Sequence, residues 1–221
     1  MKINKIILSI ETAIEGGSIS ILDGGKEIDF RVGTKNVSRA EELLGEISAL
    51  LVKNNIKKKE IGLIAVSNSA GSYTGIRIGL ATALGLKKAL GCRIKGVSVL
   101  EALALAAPTE GSLISAVSTN GRDIYLQTFE KISDKIIRNK TDTELLDYET
   151  FGEKVFFGQM PHALFVNEKL YDFIYSDIKI KDSCKQRVFN AGKNLAKFLG
   201  RKVQDSDASD NVKQIYMREF K

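Results

Sequence analysis

Residues Ser67–Leu90, SNSAGSYTGIRIGLATALGLKKAL, decide the fold. The apolar run Ile61–Val66 leads in, a loop of small residues follows, and then comes a stretch without Pro whose side chains are nearly all apolar. Strand, Gly/Ser turn and helix in that order is how a chain reverses at the edge of an α/β sheet. The turn Ser67–Thr74 brings several amides to a helix N-terminus, an arrangement that often holds an anion. No Lys follows the glycines as it does in a P-loop, so a tight strand-to-helix connection is the plainer reading. Within the helix, Gly75, Gly79 and Ala83 recur every four residues and form one ridge of tiny side chains. Interior glycines cost about 1 kcal/mol each relative to Ala. That cost fits a close approach by the chain's own sheet, a neighbouring helix or another subunit. Ile76, Ile78, Leu80, Leu84 and Leu86 spread round the rest of the cylinder, which predicts a helix buried on most sides, between its sheet and a second helix or a partner. Arg77 interrupts this apolar stretch and is either the partner of a buried acid or a contact at a rim.

Upstream, Ile6–Glu11, Ser18–Leu22 and Ile28–Val32 are runs of strand length separated by Glu15-Gly16-Gly17 and Asp23-Gly24-Gly25, which predicts an antiparallel meander. Ser38 and Glu41 have the spacing of a capping box. Ala40, Leu43, Leu44, Ile47, Leu50 and Leu51 then recur at helical spacing to Lys53, and Asn54-Asn55 ends the helix. Downstream of Gly91, Arg93–Val97 reads as a strand and Val99–Ala106 as a helix. The order βββ-α-β-α-β-α is that of a ribonuclease-H-like half, and Pro108–Gly111 is the expected domain boundary.

The second half opens in the same way, with strands Leu113–Ser118 and Ile124–Glu130 about an Asn120-Gly121 turn and a third at Lys135–Arg138. Asp142 or Thr143 is expected to cap a short helix. Val155–Phe157 and Ala163–Val166 are short apolar runs. Lys185–Leu199 carries Val188, Phe189, Ala191, Leu195 and Leu199 on one stripe and is expected to be an amphipathic helix. Gln204–Asn211 is polar and expected to be loose, and Ile215–Met217 is expected to form a last strand. The whole is expected to be α/β, two ribonuclease-H-like halves of the actin-like ATPase type, residues 1–107 and 112–221, the second smaller and degraded.

Composition narrows the chemistry. A chain of 221 residues with 43% hydrophobic content builds a sizeable core, and no apolar run reaches membrane-spanning length. MKINKIILSIET lacks the form of a signal peptide, since its apolar run is short and Glu11 follows. Cys92 and Cys184 lie far apart without metal spacing, as reduced cytosolic thiols do, so a cytoplasmic setting is expected. The net charge of +6 permits nucleic-acid contact, but no aromatic-interleaved basic motif accompanies it. The one histidine, His162, excludes a two-His zinc site, and no GxSxG elbow supports a Ser–His–Asp triad; His162 is read as a loop or strand-edge residue.

Ser69–Gly79, SAGSYTGIRIG, resembles the signature GPGSFTGLRIG of the bacterial TsaB (YeaZ) family. Ile10-Glu11-Thr12 resembles that family's Ile-Asp-Thr, Gly96–Leu100 its GVSTL segment, and Tyr216-Met217-Arg218 its Tyr-Leu-Arg. The likeness is strong over residues 1–105 and patchy beyond. Departures are specific: Ser69 and Ala70 stand for Gly-Pro, Glu11 for Asp, Ser118 and Asn120 for an Asp and an Arg, and Val37-Ser38 where a His is usual.

The resemblance implies an accessory subunit for threonylcarbamoyl-adenosine formation in tRNA. It implies binding of a TsaD-like catalytic subunit through Ser38–Lys53 and Thr74–Leu90, with Ser38, Leu43, Ile47, Gly75, Ile76, Arg77, Gly79, Leu80 and Ala83 as interface candidates. The same helices form homodimers in the family, a TsaE-like P-loop ATPase is the third component, and tRNA is met through the assembly. An ATPase of this architecture needs carboxylates from both halves. This chain offers Glu11 in the first and Ser118 in the second, with Asp123 beyond the turn. The catalytic paralogue's paired histidines are absent, so a non-catalytic subunit without catalytic or metal-binding residues is expected. Its cofactor expectation is none intrinsic, with ATP or ADP at the partner interface. Glu11, Thr12, Gly71 and Ser72 are the candidate nucleotide positions, and a stand-alone kinase or ATPase is the alternative.

Overall fold

The structure, a computed structural model, describes residues 6–33, 39–120, 122–157 and 163–203. In the first half, β1 (Ile6–Glu11), β2 (Ser18–Asp23) and β3 (Lys26–Val32) form the meander, followed by α1 (Arg39–Lys53), β4 (Ile61–Ser69), α2 (Tyr73–Leu90), β5 (Arg93–Ser98) and α3 (Val99–Ala106). The sheet order is β3-β2-β1-β4-β5, with β1–β2 and β2–β3 antiparallel and β1–β4 and β4–β5 parallel. The central strand β1 has Ile10 opposite Ile19 on one side and Val66 on the other, and is almost wholly buried. Such continuous burial is what a strand covered on both faces requires. Asn55, at φ 55°, turns the chain out of α1, and Gly91, at φ 66°, caps α2 with its amide donating to the Lys87 carbonyl.

The second half repeats this plan. β6 (Gly111–Ser118), β7 (Asp123–Lys131) and β8 (Ile137–Asn139) form a second meander, with β9 (Glu144–Asp147) also paired to β7. α4 (Tyr148–Gly152) runs into a π turn (Glu153–Phe157). β10 (Ala163–Val166), α5 (Glu168–Ser176), α6 (Asp182–Lys185), β11 (Val188–Asn190) and α7 (Ala196–Val203) follow. The order β8-β7-β6-β10-β11 matches β3-β2-β1-β4-β5 strand for strand, with the same parallel and antiparallel pairings. Two ribonuclease-H-like halves are therefore present. The core of the second is built on Phe151, Leu164, Leu170 and Ile174.

Several expectations are corrected. Lys185–Leu199 is not one helix. Val188–Asn190 pairs in parallel with Leu164–Val166, Gly192 turns the chain at φ 79°, and helix resumes only at Ala196. Of the five apolar residues at helical spacing, Val188 and Phe189 lie in the strand, Leu199 lies in the helix, and Ala191 and Leu195 fall in the connection between them. The short helix expected at Asp142 or Thr143 is displaced: Glu144–Asp147 pairs with Asp123–Leu126, and Asp147 is the N-cap, accepting from the Thr150 amide at 2.8 Å. The chain divides into a unit reaching Ala102 that also takes a return segment beginning at Lys193, and a unit from Leu103 to Gly192. The second half was expected to keep everything from residue 112 onward. Instead α7 lies on the first sheet, where Leu199 and Val203 join Ile7, Leu22, Ala65 and Val97. The proposed Ser38 cap, His162, the polar stretch Gln204–Asn211, the last strand Ile215–Met217 and the motif residues Tyr216–Arg218 lie outside the described residues.

Candidate functional site

The four candidate nucleotide positions come together where β1 ends beneath the N-terminus of α2. Glu11 is fully buried, and its Oε1 accepts from the amides of Ala13 at 2.5 Å and Ile14 at 3.1 Å. Thr12 is held twice, its amide donating to Ser67 Oγ at 3.2 Å and its Oγ1 to the Gly75 carbonyl at 2.8 Å. The Ser72 amide donates to the Ala13 carbonyl at 2.7 Å, while Ser72 Oγ caps α2 by accepting from the Gly75 amide at 3.2 Å. Gly71 lies so close to the turn that a Cβ there would stand 2.5 Å from the Ala13 carbonyl oxygen. The small-residue loop is thus seated on the β1–β2 turn, and the turn's first amides end on the chain's own carboxylate.

The equivalent turn in the second half is closed in a similar way. Asn120 Oδ1 accepts from the amides of Arg122 and Asp123, both at 2.9 Å, and Asn120 Nδ2 donates to Asp123 Oδ2 at 2.8 Å. Asn167, buried at the start of α5, brackets Ser118 by accepting from its amide at 3.1 Å and donating to its carbonyl at 2.9 Å. Among the described residues no three His, Cys, Asp or Glu side chains are grouped to hold a metal ion.

Helix α2 buries one stripe, not most of its surface: Ile76, Gly79, Leu80 and Ala83. The glycine ridge meets the chain's own first strand. A Cβ at Gly75 would run into the Thr12 carbonyl oxygen, and one at Gly79 into Thr12 Oγ1. Leu43 and Ile47 of α1 are likewise buried within the chain. Of the interface candidates among the described residues, only Arg77 is exposed, its guanidinium over the Tyr73 ring at 5.2 Å and donating to Tyr73 Oη at 3.1 Å, so it is not the partner of a buried acid. Helices α1 and α2 pack together. Their outer residues include Leu44, Gly45, Ala49 and Val52 on α1 and Ala81, Leu84 and Gly85 on α2, with Leu44 56%, Val52 73% and Leu84 48% exposed. These escaped the sequence reading because α2 is apolar all round and gives no direction. The i, i+4 row Arg77–Ala81–Gly85 was the signal that could have found them.

Residues 36–209 match the family described as "TsaD: tRNA N6-adenosine threonylcarbamoyltransferase". The chain belongs to that family. It is similar to the tRNA threonylcarbamoyladenosine biosynthesis protein TsaB of Buchnera aphidicola subsp. Baizongia pistaciae, 35% identical over 39% of this chain and 38% of that protein. TsaB of Escherichia coli K12 is 25% identical over 67% of this chain and 65% of that protein. The chain therefore spans less than two thirds of these curated relatives. YeaZ from Pseudomonas aeruginosa superposes with a TM-score of 0.70 at 19% identity, covering 90% of each chain. A second structure, described as an uncharacterized protein with similarity to peptidase YEAZ from Pseudomonas aeruginosa, superposes with a TM-score of 0.74 at 18% identity, covering 97% of this chain and all of the other. These two share the fold. The TsaB/YeaZ resemblance carried by Ser69–Gly79 thus holds. That stretch is the seat on which α2 meets β1.

Proposed function

We propose that this chain serves tRNA threonylcarbamoyladenosine biosynthesis as a non-catalytic scaffold that binds a TsaD-type catalytic subunit through the outer face of α1 and α2. The family and the names of the curated relatives support the pathway. The observation that carries the scaffold role is the exposed α1–α2 surface. Leu44, Val52 and Leu84 are apolar, and Gly45, Ala49, Ala81 and Gly85 are small enough for another pair of helices to approach closely. A homodimer competes for the same surface. The TsaE-like ATPase and tRNA are met through the assembly, and ATP or ADP, where it takes part, sits at the joint with the partner. The absence of chemistry is supported by the two closed turns, whose amides are engaged by Glu11 and Asn120 instead of being presented to a phosphate.

Co-purification with the host's TsaD homologue, with and without nucleotide, tests the proposal. The expected result is a complex that depends on Leu84 and Val52. Calorimetry with Mg-ATP and a phosphate-release assay on the isolated chain test the alternative: turnover on the order of 1 s⁻¹, the range of working kinases, would establish a stand-alone ATPase and end the scaffold reading.

A further inference from the structure

The second unit carries a groove of about 520 Å³ between α4 with its π turn and the loop that follows α5. Tyr148, Glu149, Glu153 and Phe157 line it from one side, Asp177 and Lys179 from the other. Its floor is fixed: the Tyr148 hydroxyl donates to Asp177 Oδ2 at 3.0 Å, and Phe173 meets the Tyr148 ring edge-on at 4.6 Å. Burial, then the Asp177 hydrogen bond and charge, push the Tyr148 phenol up, so it remains a neutral donor.

Glu149 and Glu153 are both exposed and lie one helical turn apart on the groove side, a spacing at which like charges repel. Among the described residues neither has an ion-pair partner. Lys154, the nearest cation along the helix, pairs with Glu144 at 2.6 Å. Three carboxylates and one ammonium leave the lining at −2 in a chain of +6. Phe157, 64% exposed, lines the groove, and Ile178, 96% exposed, lies in the loop between Asp177 and Lys179. Negative charge beside uncovered apolar surface complements a cation on an apolar stem.

We propose that this groove receives an arginine or lysine side chain, with an apolar neighbour, from a segment of a partner polypeptide. The cation lies between Glu149, Glu153 and Asp177 and relieves their repulsion. Its aliphatic stem and the neighbouring side chain cover Phe157 and Ile178. A free polyamine would satisfy the carboxylates but leave both apolar side chains wet, which is why a polypeptide is the occupant.

The test is an NMR titration of the full ¹⁵N-labelled chain at low salt with the capped peptide Leu-Arg-Phe-Arg-Leu, with its Gln-for-Arg counterpart, and with spermidine. Saturable shifts at the Gly152 and Glu153 amides are expected with the arginine peptide. Binding is expected to be about tenfold weaker for the glutamine peptide, for spermidine, and for the arginine peptide with the double variant Glu149→Gln/Glu153→Gln, the worth of two partly screened charge pairs. Both glutamates are exposed, so the double variant is expected to melt with the parent. Lys179→Gln, acting in the opposite direction, is expected to tighten the peptide about twofold. No saturable shift, binding that survives in the double variant, or spermidine binding as tightly as the peptide overturns the proposal, the last by assigning the groove to free polyamines.

Discussion

Thr12 meets α2 at two successive turns, with its carbonyl beneath Gly75 and its hydroxyl beneath Gly79. Glycine is therefore required at both positions by the chain's own packing, whatever else touches the helix. Gly79→Ala is expected to destabilise the protein by about 1–3 kcal/mol, since the added methyl forces Thr12 or the helix to move. Gly85 lies on the same helix, but a Cβ there meets open space. Gly85→Ala is expected to stabilise by up to about 1 kcal/mol through helix propensity alone. Urea denaturation of the two variants checks both, and a similar response would refute the assignment of faces. At the edge strand, Lys53 at 2.7 Å and Asn54 at 2.8 Å hold the Asp29 carboxyl at about 2, below its ordinary 3.8. A lowered folded-state value gives stability that is present above the unfolded pKa and is lost as pH falls through the folded one. Acid melts of the parent and Asp29→Asn are therefore expected to differ above pH 4 and converge between pH 4 and pH 2.

Among the elements, those of the first half were legible because local signals and tertiary needs agreed. Gly and Asp clusters bound each strand of the meander, and α1 and α2 each carry helical periodicity for 15 residues or more. β11 was illegible for the opposite reason. It has three residues, and its strand character comes from parallel pairing with β10, a neighbour distant in sequence. Phe189 and Leu195 fit a helical stripe equally well, so periodicity misread the segment. The four nucleotide candidates were found together, but nothing local in Glu11 tells that its carboxylate folds back on its own turn. A further element-scale feature had no sequence signal. Lys131, almost fully buried at the end of β7, donates to the carbonyls of Leu105 and Ala107 and pairs with Asp134 at 3.1 Å. It therefore satisfies acceptors at the C-terminus of α3, where the helix dipole favours a cation. Lys131→Met removes those donors from buried carbonyls and is expected to cost about 1–3 kcal/mol, seen as a lowered denaturation midpoint with an unchanged slope.

For the whole molecule, the two halves share a strand order but differ in what their helices leave exposed. The first half turns the ridge of α2 inward and presents Leu44, Val52 and Leu84 outward. On the proposed scaffold reading, the helices of a partner would cover that surface. Leu84→Glu places a charge on this surface without touching the buried stripe Ile76, Gly79, Leu80 and Ala83. Its expected signature is therefore a dissociation: the melting temperature of the isolated chain unchanged, and the complex with the TsaD homologue weakened by about 2 kcal/mol or more, the loss typical of an interface hot spot. Gly79→Ala is expected to show the converse, a less stable chain that still binds once folded. Size-exclusion chromatography of each variant, alone and with the partner, separates the two effects. If Leu84→Glu left both self-association and partner binding intact, the outer face of α1 and α2 would be ordinary solvent-facing surface, and the scaffold role would need another side of the molecule.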